Sequence, residues 1–347
     1  MKKTSPRPLF LSAVRLVATG TAVLLAIVCL PRSSYAQWQW HAGVGAQSKD
    51  LGHQALAFLP NELWIHEGDT ITWKSDVDEI HTVTFLKTDP AAQARPPFPA
   101  GCPGFSSSPA SFDGTTCVTT PPIVKGQTFS VTFPTKGNYK LVCLVHENMT
   151  GVVHVLDRLT PLPFEQEDYN EQAADQRRDL LLDTDRGGDY DGHRGRHEDG
   201  GAHHLGHAVV AGTGEVTATG GGSQTLSILR FNHDTVTIHV GGTIEWTNED
   251  PVTPHTVTFG SEPANPIPPS GNVTIDEDGA RHATIHSSAD TAHSGLIVSE
   301  PQERLFLPQA PLGVTRFRVT FTHAGTYSYI CELHDDLGMK GKIIVLP

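Results

Sequence analysis

The most constraining feature of this 347-residue chain is an internal duplication. Residues 129–146 read FSVTFPTKGNYKLVCLVH, and residues 317–334 read FRVTFTHAGTYSYICELH. Upstream, GDTITWKSDVDEIHTVTF at 68–85 matches GGTIEWTNEDPVTPHTVTF at 241–259, with one extra residue in the second copy. Because both blocks recur in the same order and at long spacing, the chain contains a duplicated domain rather than a short-period repeat.

Each copy has the sequence pattern of short β-strands. Apolar and polar residues alternate over segments rich in Val, Ile, Thr, Phe and Tyr, such as 70–73, 81–85 and 129–133. Glycine and proline clusters separate these segments, and no long helical period is seen. The pattern predicts a small antiparallel sandwich or barrel in each copy.

The composition between the copies changes sharply. Residues 158–207 are rich in acidic residues, arginine, glycine and histidine, with few large apolar residues after Leu182. Such a segment cannot bury enough apolar surface to offset its ordering entropy, so we expect a mostly disordered, acidic and histidine-rich linker. The predicted domains are therefore residues 37–157 and residues 208–347.

The first 36 residues have the features of a secretory signal peptide. A basic start is followed by an apolar run at 16–30 and by small residues before Gln37. The run is short for a membrane anchor, which is the alternative. Cleavage removes five basic residues and no acidic ones, so the formal net charge of −13 becomes about −18. We expect a periplasmic or secreted chain without membrane insertion, which avoids nucleic acid and favours partners with basic surfaces.

Four cysteines remain in the mature chain. Cys102 and Cys117 lie in a Pro-, Ser- and Gly-rich stretch, residues 90–122, and are predicted to form a disulfide. Closing this short loop would stabilise the fold by on the order of 3 kcal/mol. Cys143 and Cys331 then stay unpaired, and each is followed by a histidine three residues later. Unpaired thiols in an oxidising compartment call for another role.

A metal site in each copy supplies that role. A predicted strand ends at Cys143 and another begins at 152, so the loop between them can direct Cys143, His146 and Met149 to one point. The repeated block adds His81. The second copy offers the matching set His255, Cys331, His334 and Met339. Two imidazoles, a thiolate and a weak thioether are the donors of a blue-copper electron-transfer centre, whereas zinc seldom takes a thioether.

The two motifs, G-x-Y-x3-C-x2-H-x2-M and G-x-Y-x3-C-x2-H-x4-M, each have an upstream H-T-V-T-F. They resemble those of the cupredoxin family, of the plastocyanin and amicyanin kind, over residues 45–157 and 210–347. The resemblance implies two Greek-key β-sandwiches, each with one type 1 copper at one end, reduced and oxidised by partner proteins. It also implies that His146 and His334 are the ligands nearest solvent, and so the electron port. The disulfide-bearing insertion and the Pro-rich segment 261–312 depart from the minimal family domain.

These features favour an exported, non-enzymatic two-domain blue copper protein that carries single electrons. A copper-binding or delivery protein is the alternative. A copper oxidase or nitrite reductase is less favoured, because a second kind of copper site needs H-x-H pairs or a histidine beside the cysteine. The chain has no H-x-H, and neither Cys143 nor Cys331 has an adjacent histidine. The linker histidines could capture metal, but we favour a solvated spacer; they are His193, His197, His203, His204 and His207.

Overall fold

The structure is a computed structural model that describes residues 37–87, 102–182, 208–299 and 315–347. The predicted signal peptide and the linker histidine cluster lie outside the described residues. Cleavage before Gln37, disorder over 183–207 and metal capture by the linker therefore stay predictions. No helix within the described ranges is long and apolar enough to cross a membrane.

The first copy forms two sheets that pack face to face. Its strands are β1 (Gln39–Gln47), β2 (His53–Leu59), β3 (Glu62–His66), β4 (Thr70–Ser75), β5 (Thr84–Phe85), β6 (Ala110–Ser111), β7 (Val118–Thr119), β8 (Thr128–Thr132), β9 (Gly137–Val142) and β10 (Thr150–Leu156). One sheet has the order β2-β1-β4-β8-β6 and the other β3-β10-β9-β5-β7. Strands such as β10 alternate buried and half-buried positions, as expected when one face of a sheet covers a core.

A helix, α1 (Gln166–Leu182), follows the first copy within the predicted linker. The Asp168 carboxylate accepts the Glu165 N–H at its start, as in a capping box. Tyr169 is fully buried, and its hydroxyl bonds to the backbone of Trp64. Leu180 packs in an apolar cluster with Ala55 of β2 and its neighbours. The first part of the linker is therefore ordered, which the sparse apolar content of the segment did not indicate.

The second copy repeats the same arrangement. Its strands are β11 (Ala208–Ala218), β12 (Ser223–Asn232), β13 (Thr235–His239), β14 (Thr243–Glu249), β15 (Thr258–Phe259), β16 (Thr274–Ile275), β17 (Arg281–Ile285), β18 (Ala292–His293), β19 (Arg316–Phe321), β20 (Gly325–Ile330) and β21 (Lys340–Leu346). One sheet has the order β16-β17-β19-β14-β11-β12 and the other β13-β21-β20-β15-β18. The predicted all-β class with two sandwiches is confirmed.

Aromatic residues fill the space between the sheets in both copies. Trp73 is fully buried, and its ring centroid lies 5.4 Å from that of Phe85. The matching pair in the second copy, Trp246 and Phe259, is 5.8 Å apart. Because such rings bury large apolar areas, these equivalent clusters carry much of the stability of each sandwich.

The two sandwiches share one sheet, because β2 pairs antiparallel with β12. This pairing joins one sheet of each copy into a continuous sheet of eleven strands. Gln54 pairs with Ser227 across this junction. These two residues occupy equivalent positions in the repeat. Gln54 pairs with Gln47 and Ser227 pairs with Gly214, and both of these partners lie two residues beyond the bulge of their strand. Antiparallel pairing of equivalent residues is the pattern of a two-fold axis. The copies are thus joined symmetrically, and the linker is not their only connection.

The predicted disulfide between Cys102 and Cys117 is confirmed. Cys117 is buried in a small cluster with Leu86, Val142 and Leu144. The cross-link therefore fixes the insertion against the strand that leads into Cys143.

Candidate metal centres

The first centre brings together the three nitrogen and sulfur donors that the sequence indicates. His81 is held by a two-way backbone bridge to Ile123, with N···O distances of 3.0 and 2.7 Å. Cys143 follows β9, and His146 lies in the next loop. The Nδ1 atoms of His81 and His146 are 3.2 Å apart, and Cys143 Sγ lies 3.8 Å from His146 Nδ1. All three side chains are buried.

The second centre has the same construction. A backbone bridge from Ile297 holds His255. The Nδ1 atoms of His255 and His334 are 3.1 Å apart, and Cys331 Sγ lies 3.4 Å from His334 Nδ1 and 3.8 Å from His255 Nδ1. Metal ligation by either group stays a prediction, but the structure places each predicted trio at one point.

Met149 and Met339 close the two loops. Each is fully buried in the same apolar cluster as its cysteine. The Cys143 N–H donates to the Met149 carbonyl, and the Cys331 N–H donates to the Met339 carbonyl, both at 3.0 Å. The closed loops therefore hold cysteine and methionine close together in both copies, although one loop is two residues longer.

The surroundings of the thiols favour the thiolate. The Thr82 N–H donates to Cys143 Sγ at 3.4 Å, and the Thr256 N–H donates to Cys331 Sγ at 3.3 Å. Burial alone would raise the pKa of Cys143, but His146 and His81 hold it well below its usual value. The pKa of Cys331 is lowered in the same way against burial, by its two histidines. Deprotonated sulfur is the form that binds metals.

The donor set fits copper. Two imidazole nitrogens and a thiolate converge within 4.8 Å in each group, and all of these side chains are buried. Hard cations prefer oxygen donors, and this combination of sulfur and imidazole suits a soft, redox-active ion. His81, Cys143 and His146 would hold the ion in the first copy, and the equivalent trio would hold it in the second.

A bulge glycine packs against one histidine of each centre. Gly45 and Gly212 lie at the irregular points of β1 and β11 and have φ of 72° and 82°. A Cβ on Gly45 would lie 2.7 Å from His81 Nε2, and one on Gly212 would overlap the ring of His255. Only glycine therefore permits both the backbone and the close approach of the ring.

Gly212→Ala is expected to weaken copper binding at the second centre and leave the first centre intact. The positive φ alone costs about 1 kcal/mol or more in stability, and the added methyl group pushes His255 out of place. Gly241→Ala is the matched control, because its φ of 86° is similar and its Cβ would meet open space. Copper content and thermal unfolding of both variants test this. Equal copper loss in the two variants would contradict the steric explanation.

Glu79 joins the two centres and was not among the predicted site residues. Its Oε1 lies 3.3 Å from His146 Nε2, and its Oε2 lies 3.7 Å from His334 Nε2. Burial alone would raise the pKa of Glu79, but the hydrogen bond from His146 and the charge of His334 lower it to about 2. The sequence offers one indication of a special role, because the two copies differ at this position. The residue aligned with Glu79 in the second copy is Thr253, which is not an acid.

His146 and His334 are the most exposed of the predicted ligands, as the resemblance implies, although both are buried. Their exposed fractions are 2% and 4%, and Glu79 between them is 7% exposed. The His334 ring lies against Glu79 of the first copy, so one of these contacts crosses between the copies. Both rings are thus covered within this molecule, and their role as an electron port stays a prediction.

Comparison with known proteins establishes the family. The model of the copper binding proteins, plastocyanin/azurin family, matches residues 46–156 and 216–346, which together exceed half of the chain. The chain belongs to this family, and the two sandwiches are cupredoxin domains.

Solved structures of amicyanin are among those similar to the chain. A reduced tryptophan-to-tyrosine mutant shares 21% identity with a TM-score of 0.24, over 35% of this chain and 87% of that one. A proline-to-glycine mutant in the Cu(I) form at pH 4 shares 22%, with the same TM-score and coverage. Amicyanin from Paracoccus versutus shares 20% with a TM-score of 0.24, over 35% and 86%.

Proposed function

We propose that this protein is an exported electron carrier that holds one type 1 copper in each domain. The observation that carries the proposal is the pair of buried His–Cys–His groups in a chain of a copper-binding family. When bound, copper would supply a one-electron couple between Cu(I) and Cu(II).

The residues around each group keep its geometry constant, which suits electron transfer. Backbone bridges fix His81 and His255, and the closed loops fix each cysteine relative to its methionine. Amide donors to Sγ orient the thiolate without offering a second ligand. Because the donors are positioned before an electron arrives, little rearrangement accompanies its arrival.

Burial of the donors favours a carrier over an enzyme or a delivery protein. Cys143, Met149, Cys331 and Met339 are fully buried, and both outer histidines are nearly so. A substrate such as dioxygen or nitrite would need an opening to reach the ion, and metal release would need the loops to open. An electron needs neither.

The charge of the chain supports redox partners with basic surfaces. The formal net charge of −13 becomes about −18 if the 36-residue signal is removed. An acidic protein attracts basic partners over the range of the Debye length, so the rate of electron exchange with them falls as salt rises.

Redox titration together with Cu(I) competition tests the proposal. The fully loaded protein is expected to show two reversible one-electron couples and to lose Cu(I) only slowly to a chelator, because the ligands are buried and fixed. The matched control is the Cys331→Ser variant, which lacks a predicted ligand of the second site. It should keep the single couple of the first site. Rapid loss of Cu(I) without a reversible couple would identify a delivery protein instead.

A further inference from the structure

One buried carboxylate lies between the two centres. Starting at His146, the Nδ1 atom faces Cys143 and the Nε2 atom contacts Glu79 Oε1 at 3.3 Å. Glu79 Oε2 then contacts His334 Nε2 at 3.7 Å, and the Nδ1 atom of His334 faces Cys331. The path from one donor group to the other therefore consists of two imidazole rings, one carboxylate and two non-covalent contacts.

The symmetry of the junction explains why His146 and His334 both approach Glu79. Pairing of Gln54 with Ser227 relates the copies by a local two-fold axis, so equivalent side chains approach each other across it. His146 and His334 are such an equivalent pair. Glu79 fills the space between them from one side only.

The second copy departs from the symmetry at the position of Glu79. Thr253 aligns with Glu79, and its hydroxyl bonds to Ser227 Oγ at 3.1 Å. Two carboxylates in the same buried space would repel each other. A single carboxylate, contacted by an imidazole on each side, keeps its charge compensated. The arrangement thus provides one acceptor group for two sites.

We propose that Glu79 is the bridge through which electrons pass between the two copper sites of one chain. The inference rests on the proposed function, because it needs both sites to be redox active. The step oxidises one site and reduces the other by one electron, with no bond made or broken and no further reactant. The carboxylate shortens the gaps between the rings, and electronic coupling across contacting atoms is stronger than across an open gap.

Pulse reduction of the fully loaded protein tests the bridge. A substoichiometric pulse of reductant bleaches whichever site takes the electron first. The wild type should then show a first-order phase, independent of protein concentration, in which one site recovers while the other bleaches. Spectra of Cys143→Ser and Cys331→Ser identify the two sites. In Glu79→Gln this phase should slow by about tenfold or more, since the amide can accept a hydrogen bond from only one of the two rings through its oxygen.

Two controls separate the bridge from a structural role. Asp78→Asn removes the neighbouring carboxylate, which is partly exposed and contacts Gln47 and Lys125, and should leave the rate unchanged. The dipolar splitting between the two Cu(II) ions, measured by pulsed EPR, should be the same in Glu79→Gln and wild type. A slower phase with an altered splitting would assign Glu79 to holding the domains in place and overturn the bridge.

The failure of the bridge is distinguishable from the failure of the proposed function. Two reversible couples in the titration, with no concentration-independent phase or with an unchanged rate in Glu79→Gln, would overturn the bridge alone. Absence of reversible couples would overturn both.

Discussion

Replacing Cys143 by serine is expected to remove about half of the thiolate-to-copper(II) absorption of the fully loaded protein. The serine hydroxyl is a hard, neutral donor that gives no such transition, and the Thr82 and His146 amides lose their sulfur acceptor. The second centre draws all its donors from its own copy, so its colour should stay. Absorption, EPR and copper analysis of the same sample measure the effect.

Cys331→Ser is the reciprocal variant and should remove the other half of the absorption. The double variant should be colourless. Loss of all colour in either single variant would show that the two centres are not independent in binding copper. Full colour in either single variant would show that the replaced cysteine is not a ligand.

Cutting the segment 183–207 is expected to leave the two domains associated. The sequence predicts domains that fold alone on a flexible linker, but the structure also connects them directly. The β2 and β12 strands pair, the Leu229 N–H donates to Gly52 O at 2.7 Å, and Val252 of the second copy is buried in the apolar cluster of the first. The fragments should therefore elute together in size-exclusion chromatography after limited proteolysis.

Denaturing electrophoresis of the eluted peak confirms that the chain has been cut, and the uncut protein supplies the reference volume. Separation of the fragments under native conditions would contradict the shared sheet. Isolated domains would each expose an unpaired edge, β2 or β12, and such edges tend to pair with another chain. We thus expect either fragment, produced alone, to self-associate.

Sequence patterns predict the two domains and the two His–Cys–His groups well. Each depends on short motifs within one copy, and each motif occurs twice. The C-x2-H spacing fixes Cys143 and His146 within one loop, and the strand pattern before His81 repeats at His255. The disulfide is similarly local, with a sequence separation of 15.

The features that the sequence did not reveal depend on contacts between the copies. In sequence, β2 and β12 resemble ordinary edge strands of a sheet. The residue pattern around Gln54 does not indicate that this strand pairs with one 173 residues further along the chain. The contact between Glu79 and His334 likewise joins residues of different copies. Helix α1 is held by few apolar side chains, chiefly Tyr169 and Leu180, against surfaces that exist only after the sheets form.

The pairing of Gln54 with Ser227 gives this single chain the interface of a homodimer. In an assembly of two identical chains, every residue near the two-fold axis occurs twice. A single side chain without a symmetry mate can therefore not lie between the two chains. Fusion of the copies removes that restriction, so Glu79 can lie between the copies while the equivalent position in the second copy is Thr253. The tether also makes the interface independent of protein concentration. Dilution would therefore not separate the two candidate metal centres.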